Sequence, residues 1–123
     1  MPTVLVVDDE AFIRSALRKI LERGGMTVIE AASATEALGL LAATVGPDAV
    51  VSDVLMPGMG GLAFYDEMIK QSPGLNGRVV FLTGAARDPA IHGPIEQRGV
   101  PLISKIDDLM LVLDAVRLAT FKK

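Results

Sequence analysis

Cysteine and tryptophan are both absent from these 123 residues, and tyrosine and histidine occur once each. Without thiols there is no disulfide framework, no thiolate nucleophile and no cysteine-ligated metal, which suits a reducing, cytoplasmic setting. A basic stripe is missing too. Twelve Lys and Arg stand against fifteen Asp and Glu, the net charge is −3, and the longest basic run is Lys122–Lys123. That speaks against a direct nucleic-acid partner. No uncharged apolar stretch approaches the roughly 18 residues of a membrane helix. The longest candidates run over 37–47 and 54–65, and the second is interrupted by Pro57 and several glycines. Acids appear by Asp8, so the start does not read as a signal peptide, and no membrane partner is expected.

What is present is apolar material in a regular order. Five short runs rich in valine, isoleucine and leucine (Thr3–Val7, Met26–Ile29, Asp48–Val51, Arg78–Leu82, Val100–Ser104) alternate with segments of helical period. Consecutive apolar positions mark strands buried on both faces of a parallel sheet. Phe12, Ile13, Ala16, Leu17, Ile20 and Leu21 share one face of a first helix that ends at Gly24 and Gly25. Ser33 and Glu36 form a capping box that opens a second helix over 34–45, with Ala37, Leu38, Leu41 and Val45 on one side. A third helix covers Leu62–Lys70. The segment Asp88–Arg98 reads as a broken helix because Pro89, Gly93 and Pro94 interrupt it. The last helix covers 107–120, with Asp107 and Asp108 suiting its dipole and its leucine, valine and methionine pattern reading as core. With no internal repeat or linker, the chain is expected to be one domain over residues 1–123, of α/β class. The expected architecture is a flavodoxin-like (βα)5 sandwich with a five-stranded parallel sheet in the order 2-1-3-4-5.

Polar residues fall where such strands end: Asp8 and Asp9 after the first, Asp53 after the third, Thr83 after the fourth, Lys105 after the fifth. In a parallel sheet those ends share one edge, so three acids, a hydroxyl and a lysine should meet. Three crowded carboxylates either take up a proton or admit a cation. A hard divalent ion such as Mg2+ accepts a few carboxylate oxygens and leaves positions for phosphoryl oxygens. A carboxylate beside it can attack phosphorus to form an acyl phosphate, with lysine and hydroxyl taking up the remaining charge. Taken singly, each residue has a plainer reading. Asp8 and Asp9 could cap a helix, Asp53 could be a turn acid, and Thr83 a loop hydroxyl. Lys105, just ahead of a helix start, calls for an anionic partner. His92, beside Gly93 and Pro94, reads as an exposed loop histidine.

The segments Val4-Leu5-Val6-Val7-Asp8-Asp9-Glu10 and Asp53-Val54-Leu55-Met56-Pro57-Gly58-Met59-Gly60-Gly61, together with Thr83-Gly84 and Lys105, resemble the receiver (response-regulator) domain family of two-component signalling. The resemblance covers essentially the whole chain. It implies a phosphoacceptor domain and not an enzyme in the ordinary sense. Asp53 would take a phosphoryl group from a histidine kinase or histidine phosphotransfer protein, and the domain would then switch to control a partner or an attached domain. It further implies that Asp9 and Asp53 ligate Mg2+ directly, Asp8 through water and Leu55 through its backbone carbonyl. Thr83 would bond the phosphoryl group and Lys105 would pair with it, while Leu55 and Ala85 would flank it. The run Gly99–Lys105 is similar to receivers attached to hybrid sensor kinases, and the boundaries suit an excised or a free-standing domain.

Two departures from the family stand out. Ile106 follows the lysine where relatives carry proline, so a trans bond is expected, and Leu102 stands where an aromatic residue often couples to the threonine. Signalling would then involve ordering or shifting the 88–98 segment. A haloacid-dehalogenase phosphatase would need an aspartate where Glu10 stands and a larger chain. A flavin carrier would need a hydroxyl-rich loop and aromatics. A phosphorylation-independent pseudo-receiver keeps the fold and drops the chemistry.

Overall fold

The computed structural model describes residues 2–43, 46–84, 88–105 and 109–120. Strand and helix alternate throughout: β1 (Thr3–Val7), α1 (Ala11–Arg23), β2 (Thr27–Ala31), α2 (Ala34–Ala43), β3 (Ala49–Asp53), α3 (Gly61–Gln71), β4 (Val79–Thr83), α4 (Pro89–Gln97), β5 (Leu102–Ser104) and α5 (Val112–Thr120). All strand pairs are parallel and the sheet order is β2-β1-β3-β4-β5, as the apolar runs imply.

Alternation along each strand sorts side chains between two cores. Val4, Val6, Val51, Val80 and Leu82 point to the side covered by α1 and α5, where Ile13, Leu17, Leu21, Val112, Val116 and Ala119 meet them. Leu5, Val7, Val50 and Val79 point to the other side, against Ala34, Ala37 and Leu41 of α2 and Phe64 and Met68 of α3. A third group (Val54, Tyr65, Phe81, Ile95) seats α4, with Leu102 packed at its margin. Helices on both faces are what force the central strands to be apolar throughout.

β1 coincides with its apolar run, whereas β2, β3 and β4 end one or two residues later than theirs and β5 begins two residues later, at Leu102. The backbone ladder continues through Glu30, Ser52, Asp53 and Thr83, whose side chains are polar while their peptides still pair. Phe12 corrects the expected face of α1. It is 80% exposed, while the row Ile13, Leu17 and Leu21, four residues apart, carries the packing. The capping box forms with one change: Ser33 Oγ accepts from the Glu36 N–H at 3.1 Å, but Glu36 reaches past Ser33 to the N–H of Ala32 at 3.1 Å.

The segment expected to be broken is a helix, α4. Asp88 caps it by accepting the Ala90 N–H at 2.9 Å, and Pro89 occupies the first turn, where its missing N–H costs nothing. Pro94 leaves the carbonyl of Ala90 without its helical donor, but Ala90 is exposed and water can serve it. His92 is accordingly on a helix, exposed, with Nδ1 3.4 Å from Glu96. Ile95 is the buried residue that holds α4 down.

The last helix opens with a 3-10 turn, Leu109–Leu111, before α5. Its apolar residues are not all core. Met110, Leu111 and Leu118 are exposed. The expectations for Val45, Ala85, Ile106, Asp107 and Asp108 lie outside the described residues.

Candidate functional site

The carboxyl edge of the sheet gathers the polar residues. Asp8 follows β1, Asp53 closes β3, Thr83 closes β4 and Lys105 follows β5, its N–H donating to the Thr83 carbonyl at 3.0 Å. Asp8, Asp53 and Thr83 are buried, whereas Asp9 and Glu10 are exposed. Glycine makes the floor possible. The start of α3 crosses so close to β3 that a Cβ on Gly61 would lie 2.7 Å from Val54 Cα, and the Gly61 N–H donates to the Val54 carbonyl at 2.8 Å.

Lys105 is the centre of the arrangement. Its Nζ lies 2.9 Å from Asp53 Oδ2, 3.1 Å from Glu10 Oε1 and 2.8 Å from Asp8 Oδ2. The approach to Asp8 is at ion-pair distance but off the line of a hydrogen bond, so this fully buried oxygen has no hydrogen-bond partner among the described residues. Asp8 Oδ1 accepts the Glu10 N–H at 2.8 Å, a turn that leads into α1, whose N-cap position is held by Glu10 and not by Asp8. The Asp8 carbonyl accepts from Arg14 at 2.7 Å, and Arg14 is itself held by Glu30. The Leu55 N–H donates to Asp53 Oδ1 at 3.3 Å, which fixes the rotamer of that carboxylate.

Asp8, Asp9, Glu10 and Asp53 each offer a carboxylate oxygen, all within 4.8 Å of one another. Four carboxylates against one ammonium leave the edge strongly negative. Burial raises the Asp53 pKa; the Lys105 hydrogen bond opposes this and the charge of Asp8 adds to it. Burial works against the Lys105 ammonium, but its ion pairs with Asp8, Asp53 and Glu10 outweigh that and raise its pKa. A buried carboxylate oxygen without a hydrogen bond, inside a cluster of hard oxygen donors, is the surrounding a hard divalent cation fits. The acidic cluster is of the kind that holds Mg2+ in receiver domains.

The structure therefore brings together the expected Asp8, Asp9, Asp53 and Lys105, and sets Thr83 at the end of the strand between β3 and β5. It also adds Glu10, which the sequence placed only within an acidic motif. The signal was there in part, since Lys105 required an anion, but a contact across 95 positions has no local signature.

Comparison with known proteins agrees with this geometry. The chain is 36% identical over 104 residues to the C4-dicarboxylate transport transcriptional regulatory protein DctD of Rhizobium meliloti, covering 85% of this chain and 22% of that protein. It is 41% identical over 87 residues to the sensor kinase CckA of Brucella abortus, covering 70% of this chain and 9% of that one. The chain thus spans a minor part of each of these curated relatives. A response regulator receiver domain from Clostridium thermocellum superposes with a TM-score of 0.82 at 28% identity, over 98% of this chain and 94% of its own. A family model for the response regulator receiver domain matches residues 4–117, and the chain belongs to that family, a phosphoacceptor regulatory domain of two-component signalling and not a catalytic enzyme.

Proposed function

We propose that Asp53 accepts a phosphoryl group from a phosphohistidine of a histidine kinase or phosphotransfer protein in a Mg2+-dependent reaction, and that the resulting change controls a partner or an attached domain. The observation that carries this is the buried Asp53 carboxylate, bonded to Lys105 at 2.9 Å on the floor of a four-carboxylate cluster. In the reaction an Asp53 oxygen attacks phosphorus, the new O–P bond forms as the P–N bond breaks, and the electron pair of that bond stays on the imidazole. The Leu55 N–H and Lys105 hold the carboxylate in place for this attack. Lys105 then passes from Asp53 to a phosphoryl oxygen, and the Thr83 hydroxyl bonds another. Asp9, Asp53, the Leu55 carbonyl and, through water, Asp8 would hold the cation, which supplies charge neutralisation at the phosphoryl oxygens.

The surroundings favour a protein as phosphoryl donor. Phe12 in the first turn of α1, Leu55 after β3, and Met110 and Leu111 ahead of α5 are exposed, and each follows a strand at the edge that bears Asp53. Apolar side chains around a charged centre suit a macromolecular partner. Output runs through α4, which is already helical and held by the single buried Ile95, so shifting it is the available change. Val54, the neighbour of Asp53, packs in the same cluster as Ile95, which joins the two.

Incubation with Mg2+ and acetyl phosphate, followed by mass spectrometry, tests the reading. Wild type should carry one phosphoryl adduct and Asp53→Asn none. A wild type that takes up no phosphoryl group would instead favour a phosphorylation-independent interaction module, which the aliphatic Leu102 is compatible with.

A further inference from the structure

Glu10 stands at the N-cap position of α1, yet its side chain makes no capping hydrogen bond. Short side chains such as aspartate or serine cap from that position, and the longer glutamate is free to reach elsewhere. This one turns to Lys105, placing Oε1 3.1 Å from Nζ. The three carboxylates around that ammonium are graded from inside to outside: the side chains of Asp8 and Asp53 are 0% and 4% exposed, that of Glu10 58%. The backbone of Glu10 is fixed by its N–H bond to Asp8 Oδ1, so the side chain starts from a defined point.

We propose that Glu10 is a positioning residue that acts through Lys105, drawing the ammonium toward the mouth of the site so that it can release Asp8 and Asp53 without losing a carboxylate partner. The need for such a partner follows from charge. A divalent cation entering the acid cluster competes with the ammonium for the same oxygens and repels it. Lys105 cannot leave the neighbourhood, because its backbone is bonded to Thr83 and its side chain is mostly enclosed. Glu10 offers the one acceptor of the three at the solvent side, so Lys105 remains paired while the inner carboxylates turn to the cation. The inference rests on the metal-assisted reading above and deepens it: Glu10 sets how readily the site admits its cation.

The test is Mg2+ binding to the purified chain by calorimetry, with Glu10→Asp made alone and together with Lys105→Met. Aspartate keeps the charge but is one methylene shorter and does not span the distance to Nζ. We expect Glu10→Asp to raise the Mg2+ Kd about two- to fivefold, the size of a partly exposed ion pair. In the Lys105→Met background the same substitution should leave Kd unchanged. Unchanged affinity in both backgrounds would mean that Glu10 supplies charge alone, and equal weakening in both would make it a ligand of the ion; either overturns the proposal. Should the Lys105 variant unfold, NMR of the Lys105 Hε/Cε signals decides. With Mg2+ bound they should keep the dispersion of a fixed side chain in wild type and collapse toward free-lysine positions in Glu10→Asp, and identical spectra would refute the role. A wild type that binds no Mg2+ overturns both this inference and the metal-assisted reading, whereas a binding wild type with indifferent variants overturns this one alone.

Discussion

Replacing Lys105 by methionine should cost the domain a large part of its stability, and the cost should depend on pH and on divalent cations. Methionine keeps the length and apolar stem of a side chain that is 9% exposed, so what changes is charge. Without the ammonium, Asp8 and Asp53 remain buried, close together and uncompensated. Removing one partner from a buried ion pair typically costs about 3–5 kcal/mol, much more than the loss of an exposed pair such as Lys105 with Glu10. At roughly 2.1 cal/mol/K per residue, a chain of 123 residues unfolds with about 0.26 kcal/mol/K, so the midpoint should fall by about 12–19 °C. The folded-state pKa of Lys105 lies above its ordinary value of 10.5, so its contribution is fully present below that value and is lost only in strongly alkaline solution. Near neutral pH the whole effect is therefore visible. Lowering the pH should shrink it. Burial raises the Asp53 pKa and Lys105 opposes that rise, so without Lys105 the carboxyl protonates more readily and the crowding is relieved. A divalent cation at about 100 times its Kd should restore about 2.7 kcal/mol. Thermal unfolding followed by circular dichroism, with and without Mg2+, near neutral pH and at about pH 4.5, gives all four quantities. A fall of less than about 4 °C near neutrality, or one of equal size at both pH values, would refute the electrostatic account of this edge.

Three further outcomes follow from the same geometry. Asp53→Asn should stabilise the metal-free domain near neutrality. The folded state holds the Asp53 proton more tightly than the unfolded chain, so ionisation above its pKa weakens folding, and the gain should vanish below the unfolded value of 3.8, which denaturant titrations at the two pH values would show. Gly61→Ala should destabilise by about 1–3 kcal/mol and disturb the site, because the added methyl meets backbone atoms of β3 that cannot move aside, and Mg2+ affinity measured by calorimetry should fall with it. Phe64→Ala, which empties a fully buried site between α3 and the sheet, should cost about 3–5 kcal/mol in urea unfolding while leaving phosphoryl uptake by the surviving folded fraction intact.

Why the fold was readable while parts of the site were not comes down to which forces leave a local trace. Burial on both faces of a parallel sheet needs consecutive apolar residues, so Val4–Val7 and Val79–Leu82 announce themselves, and the topology follows from the alternation with helices. The ladder itself has no hydrophobic signature. Ser52 and Asp53 pair as strand residues, yet an apolar run stops at Val51. Pro89, Gly93 and Pro94 looked like three breaks, but one is a start signal beside the Asp88 cap and another orphans a carbonyl that faces water. Phe12 has the period of a buried face but stands one position off the Ile13, Leu17 and Leu21 row that meets the core.

The contact between Glu10 and Lys105 leaves no local trace either, and only the folded chain shows it. A lysine before a helix start is locally unfavourable, and that much the sequence states. Its partner is chosen by the sheet order, which sets two strands, β3 and β4, between β5 and β1 and leaves Lys105 to reach across their edge to acids that follow β1. An ammonium stretched over that span must be drawn by more negative charge than one carboxylate provides. Three carboxylates at 2.8–3.1 Å supply it, and the excess they leave behind is what makes the edge receptive to a second cation.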